Sequence, residues 1–204
     1  MNQRNHLLKD LARQEAAGSS LAETLDIWDM QLAGYGEKII KARKKFVIQV
    51  NDIISDIHRR LTGGQENIEV KYEPDTKGQP LQEALRRGRE RDLRMRSTGC
   101  GPHRDDICFM TNGIDIRKFG SQGQQRTAAL SLKLSEIELV RLVTKDTPIL
   151  LLDDVLSELD KYRQNYLLDN IHDIQALITC TGVDEFVNHR FAINKVFHVH
   201  QGHV

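Results

Sequence analysis

Leu21, Leu25, Trp28, Leu32, Tyr35, Ile39, Ala42 and Phe46 follow one another in alternating steps of four and three. A helix is the only regular element that brings such a set to one side. The mean step of about 3.5 residues is that of a coiled-coil seam. Val50, Ile53, Ile57 and Leu61 carry the stripe on to Thr62-Gly63-Gly64. Ser20, followed three residues later by Glu23, fits a capping box and places the helix start there. Gly34 and Gly36 weaken the helix by about 1 kcal/mol each relative to alanine, without ending it. Upstream, residues 3–16 read as a shorter helix with Leu7, Leu8 and Leu11 on one side, interrupted at Gly18-Ser19. Residues 1–63 are therefore expected to form a helical hairpin arm.

Residues 64–97 change character. Ile68 and Val70 alternate with Glu69 and Lys71, as in a short strand. Pro74 to Pro80 reads as a loop, and Pro80 suits a helix start leading into Leu81, Leu85 and six arginines between Arg86 and Arg96. The segment is expected to be the arm's return, a hinge with a basic helix. Arg86, Arg87 and Arg89, and upstream Lys38, Lys41, Arg43, Lys44 and Lys45, have the chemistry to contact a phosphate backbone. The competing reading is a solvated helix face balanced by Glu90 and Asp92. Overall charge does not decide, because 29 basic residues meet 29 acidic ones.

From Ser97-Thr98-Gly99 onward the pattern becomes α/β. Asp106 to Met110 and Ile114 to Phe119 look like strands joined through Asn112-Gly113, a strong hairpin signal. A long helix follows, with Leu130, Leu134, Ile137 and Val140 on one stripe. Ile149 to Leu152 is a continuous apolar run, the mark of a strand buried on both faces of a parallel sheet. A polar helix over residues 160–173, a strand at Ala176 to Thr179 and a last strand near Lys195 to His200 complete the alternation.

Three elements of this half carry chemistry. The run Ile149-Leu150-Leu151-Leu152 feeds Asp153-Asp154, placing two carboxylates at the C-terminal edge of a buried strand, where open α/β sheets bind ligands. In nucleotide hydrolysis one such carboxylate supports magnesium through its water and the next polarises the attacking water. A strand-end aspartate that caps a turn is the plainer account. Gly120-Ser121-Gln122-Gly123-Gln124-Gln125-Arg126 stands directly before a helix. Its glycine admits a phosphate, and the free N–H groups of the helix start favour an anion. Here the plainer account is Ser121 as an ordinary N-cap. Ser157-Glu158-Leu159-Asp160 alone is a helix start. None of the fourteen glycines begins a GxxxxGK[ST] loop, so the phosphate cradle of nucleotide hydrolases is not in this sequence.

In this order and spacing the three elements resemble the signature, Walker B and D-loop of ABC-type ATPases. GPHRDD (Gly101 to Asp106), GSQGQQRTAALSLKLSEIEL and PILLLDDVLSELD narrow the resemblance to the bacterial RecF family, in the SMC-like branch. A transporter would show LSGGQ and a histidine after the next strand, whereas that strand here ends Ile178-Thr179-Cys180-Thr181.

The resemblance implies the C-terminal half of an ABC-type head with a helical, coiled-coil-like arm, the head occupying residues 98–204. It implies slow, DNA-dependent ATP hydrolysis in DNA replication, recombinational repair and the SOS response. Expected partners are gapped or junction DNA, RecR, RecO and RecA, and a second copy in an ATP-sandwiched dimer. ATP and Mg2+ are the implied cofactors, both needing a Walker A half. Asp153 would support magnesium and Asp154 would orient water. Ser121, Gly123 and Gln124 would reach the partner's ATP, Asp160 would lie at the dimer seam, and Thr179 or Thr181 would sense the nucleotide. His103 and Arg104 belong to a loop expected to face nucleotide or DNA, with Gly101-Pro102 as a plain turn the competing account. Without Walker A, the chain is expected to be a fragment inactive by itself. The alternative is a non-catalytic arm that docks DNA or RecR, with the head contributing structure only.

No apolar run approaches the roughly 20 residues a membrane span needs, and no secretory segment opens the chain, so a soluble, cytoplasmic protein is expected. Cys100, Cys108 and Cys180 lack CxxC spacing and suit a reducing compartment. His198, His200 and His203, with Cys100 and His103, offer no closed four-ligand spacing for a metal.

Overall fold

The computed structural model describes residues 1–12, 19–181 and 195–203. Along the chain run α1 (Asn2–Leu11), α2 (Ser19–Leu61), β1 (Ile68–Glu73), α3 (Leu81–Arg87), α4 (Arg89–Met95), β2 (Asp106–Thr111), β3 (Ile114–Asp115), α5 (Ile116–Phe119), α6 (Gln122–Thr144), β4 (Leu150–Asp153), α7 (Lys161–Asn170) and β5 (Ala176–Thr179). They divide into two compact units that interleave along the chain. One holds Met1–Asp52 with Ile68–Gly120, the other Ile53–Asn67 with Ser121–Val204. Neither unit coincides with a segment bounded at residue 63 or 97.

The 43-residue α2 is the long helix the stripe predicts, and the first unit holds it as far as Asp52. Its buried side differs from the apolar stripe. Leu25, Asp29, Ala33, Ile40, Val47 and Val50 are buried, whereas Tyr35, Ile39 and Phe46 are exposed. The face is turned by what it must accommodate. Arg4 of α1 needs the Asp29 carboxylate, and Leu81 of α3 seats where a Cβ on Gly36 would lie only 2.2 Å away. Gly36 is thus the gap that admits α3, and the Leu81 amide donates to the neighbouring Glu37 at 2.7 Å.

β1, β2 and β3 form an antiparallel sheet, with Ile68 opposite Thr111 and Glu73 opposite Asp106. Asn112 and Gly113 take the positive φ values, 49° and 82°, of the turn their sequence signals. The second strand of that hairpin stops early. Asp115 accepts from the Arg117 amide at 3.1 Å, which caps α5 and makes Ile116–Phe119 helical where a strand is expected.

The second unit packs α6, α7, the last turns of α2 and the parallel pair β4–β5 around one core. Leu61, Leu130, Leu134, Ile137, Leu152, Leu156, Leu167 and Ile171 are among its buried side chains. Leu139 is buried on α6, and Val140 of the predicted stripe is exposed. On β4 only Leu152 is buried, and Leu151 stands 72% exposed. The expectation of a strand covered on both faces therefore fails for the described residues. Leu177 of β5 is exposed as well, so the apolar pair has α6 and α7 on one side and solvent on the other. Residues 195–199 form no strand. The histidines beyond them make an isolated bridge, His200 to His203. Among the described residues no helix is long and apolar enough to cross a membrane.

Candidate nucleotide site

Asp153 ends β4 and pairs in register with Thr179 at the end of β5. The Thr179 hydroxyl donates to Asp153 Oδ1 at 2.6 Å and accepts from the Asp154 amide at 3.0 Å. That amide also faces the Thr179 carbonyl at 3.3 Å. One threonine hydroxyl is thus held between the acidic pair. Asp154 has a φ of 50°, in the left-handed region, and turns the chain sharply off the strand. The Ser157 hydroxyl donates to the Asp154 carbonyl at 2.8 Å and steadies that turn. Both carboxylates are exposed, as a ligand site at a sheet edge requires.

Asp160 caps α7 and accepts from the Arg163 amide at 2.9 Å, with the Arg163 guanidinium beside it. Its side chain is therefore engaged in starting the helix as well as exposed.

Ser121 is the N-cap of α6 in a complete capping box. Its hydroxyl accepts from the Gln124 amide at 3.2 Å, while Gln124 Oε1 accepts from the Ser121 amide at 2.9 Å. The N-cap role and the phosphate-facing role do not compete, since an accepting hydroxyl keeps its proton for an anion. Gly123 is informative in another way. A Cβ there would meet only Ser121 Oγ, at an ordinary 3.9 Å. Nothing in the described chain requires glycine, although glycine in a helix costs about 1 kcal/mol against alanine. Room left at a helix start is what a closely approaching anion uses.

Two residues that sequence reasoning missed stand behind this loop. The remaining amide of Gln124 donates to Glu66 Oε1 at 2.9 Å, and Glu66 Oε2 meets His58 Nε2 at 3.3 Å. His58 is buried, and burial holds its pKa below the ordinary value, opposed by Glu66 and aided by Arg163. Its one visible signal in the sequence is its place four residues after Ile54 and three before Leu61, both buried on α2.

The basic residues separate. Arg89 is committed to Asp26 and to Asp29, at 2.7 Å from the latter. Arg87 pairs with Glu83 on the surface. Arg86 lines a groove with Asp26, Ile27, Met30 and Gln82. His103 and Arg104 are exposed in a short 3-10 turn, with His103 Nε2 3.3 Å from the Thr98 carbonyl. Arg43 pairs with the buried carboxylate of Asp105, which also takes the Tyr72 hydroxyl and the Asp75 amide.

No family model matches the chain. Curated relatives match it throughout. It is 61% identical to the DNA replication and repair protein RecF of Lachnospira eligens over 204 residues, all of this chain and 56% of that protein. It is 55% identical to RecF of Agathobacter rectalis over 99% of this chain and 55% of that protein. A solved structure of the recombination mediator protein RecF-ATPrS in the RecFOR pathway superposes with a TM-score of 0.78 at 37% identity, covering 90% of this chain and 51% of that one. The corresponding RecF-ATP structure gives 0.77 at 38% identity, over 89% of this chain and 50% of that one. The chain thus spans about half the length of the relatives it matches. Its fold is that of the C-terminal half of an ABC-type ATPase head with a helical arm. Over its whole length the chain resembles the corresponding stretch of these RecF proteins.

Proposed function

We propose that this chain supplies the C-terminal half of a RecF-type, ATP-dependent DNA-binding protein in recombinational repair. The observation that carries the reading is the Asp153–Thr179–Asp154 arrangement: two exposed aspartates at the end of a parallel strand, with one hydroxyl bonded to the Asp153 carboxylate and to the Asp154 backbone amide. Asp153 would hold magnesium through a water, and the ion would neutralise phosphate charge there. Asp154, on its sharp turn, would orient the attacking water, and Thr179 would hold the Asp153 carboxylate against the backbone of that turn. Ser121, Gly123 and Gln124 would meet the γ-phosphate held by a second copy, with Asp160 at the seam between the two. DNA at gaps or junctions, RecR, RecO and RecA are the partners in this reading. His103, Arg104, Arg86 and Arg87 are the candidates to touch DNA. Arg89 is the weakest of the set, because two aspartates already hold it.

The test supplies a Walker A segment with this chain, in cis or in trans, and follows ATP hydrolysis with and without gapped DNA. DNA-stimulated turnover that Asp154→Asn abolishes supports the reading. Retained DNA or RecR binding without turnover would favour a docking arm with a structural head. The chain alone is expected to show no micromolar ATP binding by calorimetry.

A further inference from the structure

A line of hydrogen bonds inside the second unit ties a buried residue of α2 to the start of α6. Ser131 Oγ lies 2.9 Å from His58 Nδ1, and His58 Nε2 lies 3.3 Å from Glu66 Oε2. Glu66 Oε1 takes the Gln124 amide at 2.9 Å, and Gln124 Oε1 takes the Ser121 amide at 2.9 Å. His58 and Ser131 are fully buried, and the Glu66 side chain is 21% exposed. Gln124 uses both ends of its side-chain amide, so its orientation is fixed from outside the capping box as well as within it.

We propose that Glu66 is a positioning residue for the Ser121–Gln124 loop: anchored by His58, it fixes the Gln124 side chain and with it the donors of the α6 start. The proposal rests on the reading of that loop as phosphate-facing. A capping box needs only Ser121 and Gln124. The carboxylate of Glu66 adds a charge-assisted bond that chooses one amide orientation over its flip. His58 holds Glu66 in turn. With Nε2–H donating to the carboxylate, Nδ1 accepts from the Ser131 hydroxyl. The single proton of that hydroxyl also has the Thr127 carbonyl at 2.7 Å. A glutamine at 66 satisfies the same contacts through the other His58 tautomer. Its NH2 donates to Nε2, its carbonyl accepts from Gln124, and Nδ1–H donates to Ser131, whose proton is left for Thr127. An alanine there satisfies none of them.

The experiment compares Glu66→Ala and Glu66→Gln in this chain by 15N NMR, then in DNA-stimulated ATP hydrolysis with the Walker A segment supplied. In Glu66→Ala the Gln124 side-chain NH2 resonances should move toward those of free glutamine, and the Ser121 amide should exchange faster. In Glu66→Gln both should stay near wild type, while the His58 ring nitrogens report the changed tautomer. Turnover should fall roughly tenfold in Glu66→Ala and recover in Glu66→Gln. Unmoved Gln124 resonances in Glu66→Ala overturn the proposal, as does full turnover in that variant while Gln124→Ala is impaired. Gln124→Ala separates the two ideas. If it leaves turnover intact, the phosphate-facing reading fails, whereas the NMR comparison still decides what Glu66 positions.

Discussion

Thr179 Oγ1 donates to Asp153 Oδ1 at 2.6 Å across the parallel register that pairs the two residues, and the same oxygen accepts from the Asp154 amide at 3.0 Å. A strand end is thereby cross-linked to its neighbour by a side chain. Thr179→Val keeps the β-branched shape and removes both bonds. We expect a loss of about 1 kcal/mol in denaturant unfolding, with Thr179→Ser restoring most of it. An unchanged midpoint in Thr179→Val would show that the hydroxyl contributes nothing to holding the pair.

Asp154 sits at φ 50°, a conformation that aspartate, asparagine and glycine tolerate and β-branched residues do not. Asp154→Asn should therefore unfold at the wild-type denaturant concentration, while Asp154→Val should lose about 1–2 kcal/mol. Stability measured on the two variants separates backbone strain from chemistry. Loss of turnover in Asp154→Asn then reports on the carboxylate alone.

Arg4 has no exposed surface and reaches Asp29 at 2.6 Å and Asp92 at 2.8 Å, themselves buried, with Thr98 Oγ1 at 2.9 Å. Removing the guanidinium takes away the buried cation at Asp92 and leaves it the half-exposed Arg91 at 3.4 Å, while Asp29 keeps Arg89. Arg4→Met should cost about 3–5 kcal/mol, read as the fall in unfolding free energy. The double variant Arg4→Met with Asp92→Asn should recover part of that loss, because the buried charge is gone.

That cluster also shows where sequence reasoning stops. Periodicity finds α2 because many apolar residues agree on a helix. It misplaces the buried side because Arg4, Asp29 and His58 are polar and yet buried, each satisfied by partners far away in sequence. The acidic pair and the Ser121 cap were legible, since strand end and helix start are local patterns. Glu66 was not, because its partner Gln124 lies 58 residues on. Ile114 to Phe119 reads as a strand by composition, but one local bond to Asp115 ends the strand there and makes Ile116–Phe119 helical.

His58 gives a pH dependence of definite sign. Burial lowers its pKa below 6.5, so the unfolded chain binds a proton there before the folded one does. This group's contribution is complete above the unfolded value. It is lost as pH falls below about 6.5 toward the depressed folded value. Glu66 and Arg163 face the ring with opposite effects, Glu66 favouring the proton and Arg163 opposing it. Unfolding free energy measured between pH 7.5 and 5.5 should fall less steeply in His58→Gln than in wild type; parallel curves would remove His58 from the acid response.

Gly123 sets stability against function at a single position. A Cβ there meets nothing closer than 3.9 Å, and the residue lies in the first turn of a 23-residue helix. Gly123→Ala should accordingly stabilise the chain by about 0.5–1 kcal/mol, through the entropy glycine loses on folding. On the proposed reading of this loop, the same methyl group would stand in the way of a phosphate that a second copy brings to the helix start. We therefore expect a higher unfolding midpoint together with lower DNA-stimulated turnover once the Walker A segment is supplied. A glycine kept for flexibility alone would give the first change without the second. A variant that gains stability and keeps full turnover would take Gly123 out of the nucleotide-facing surface.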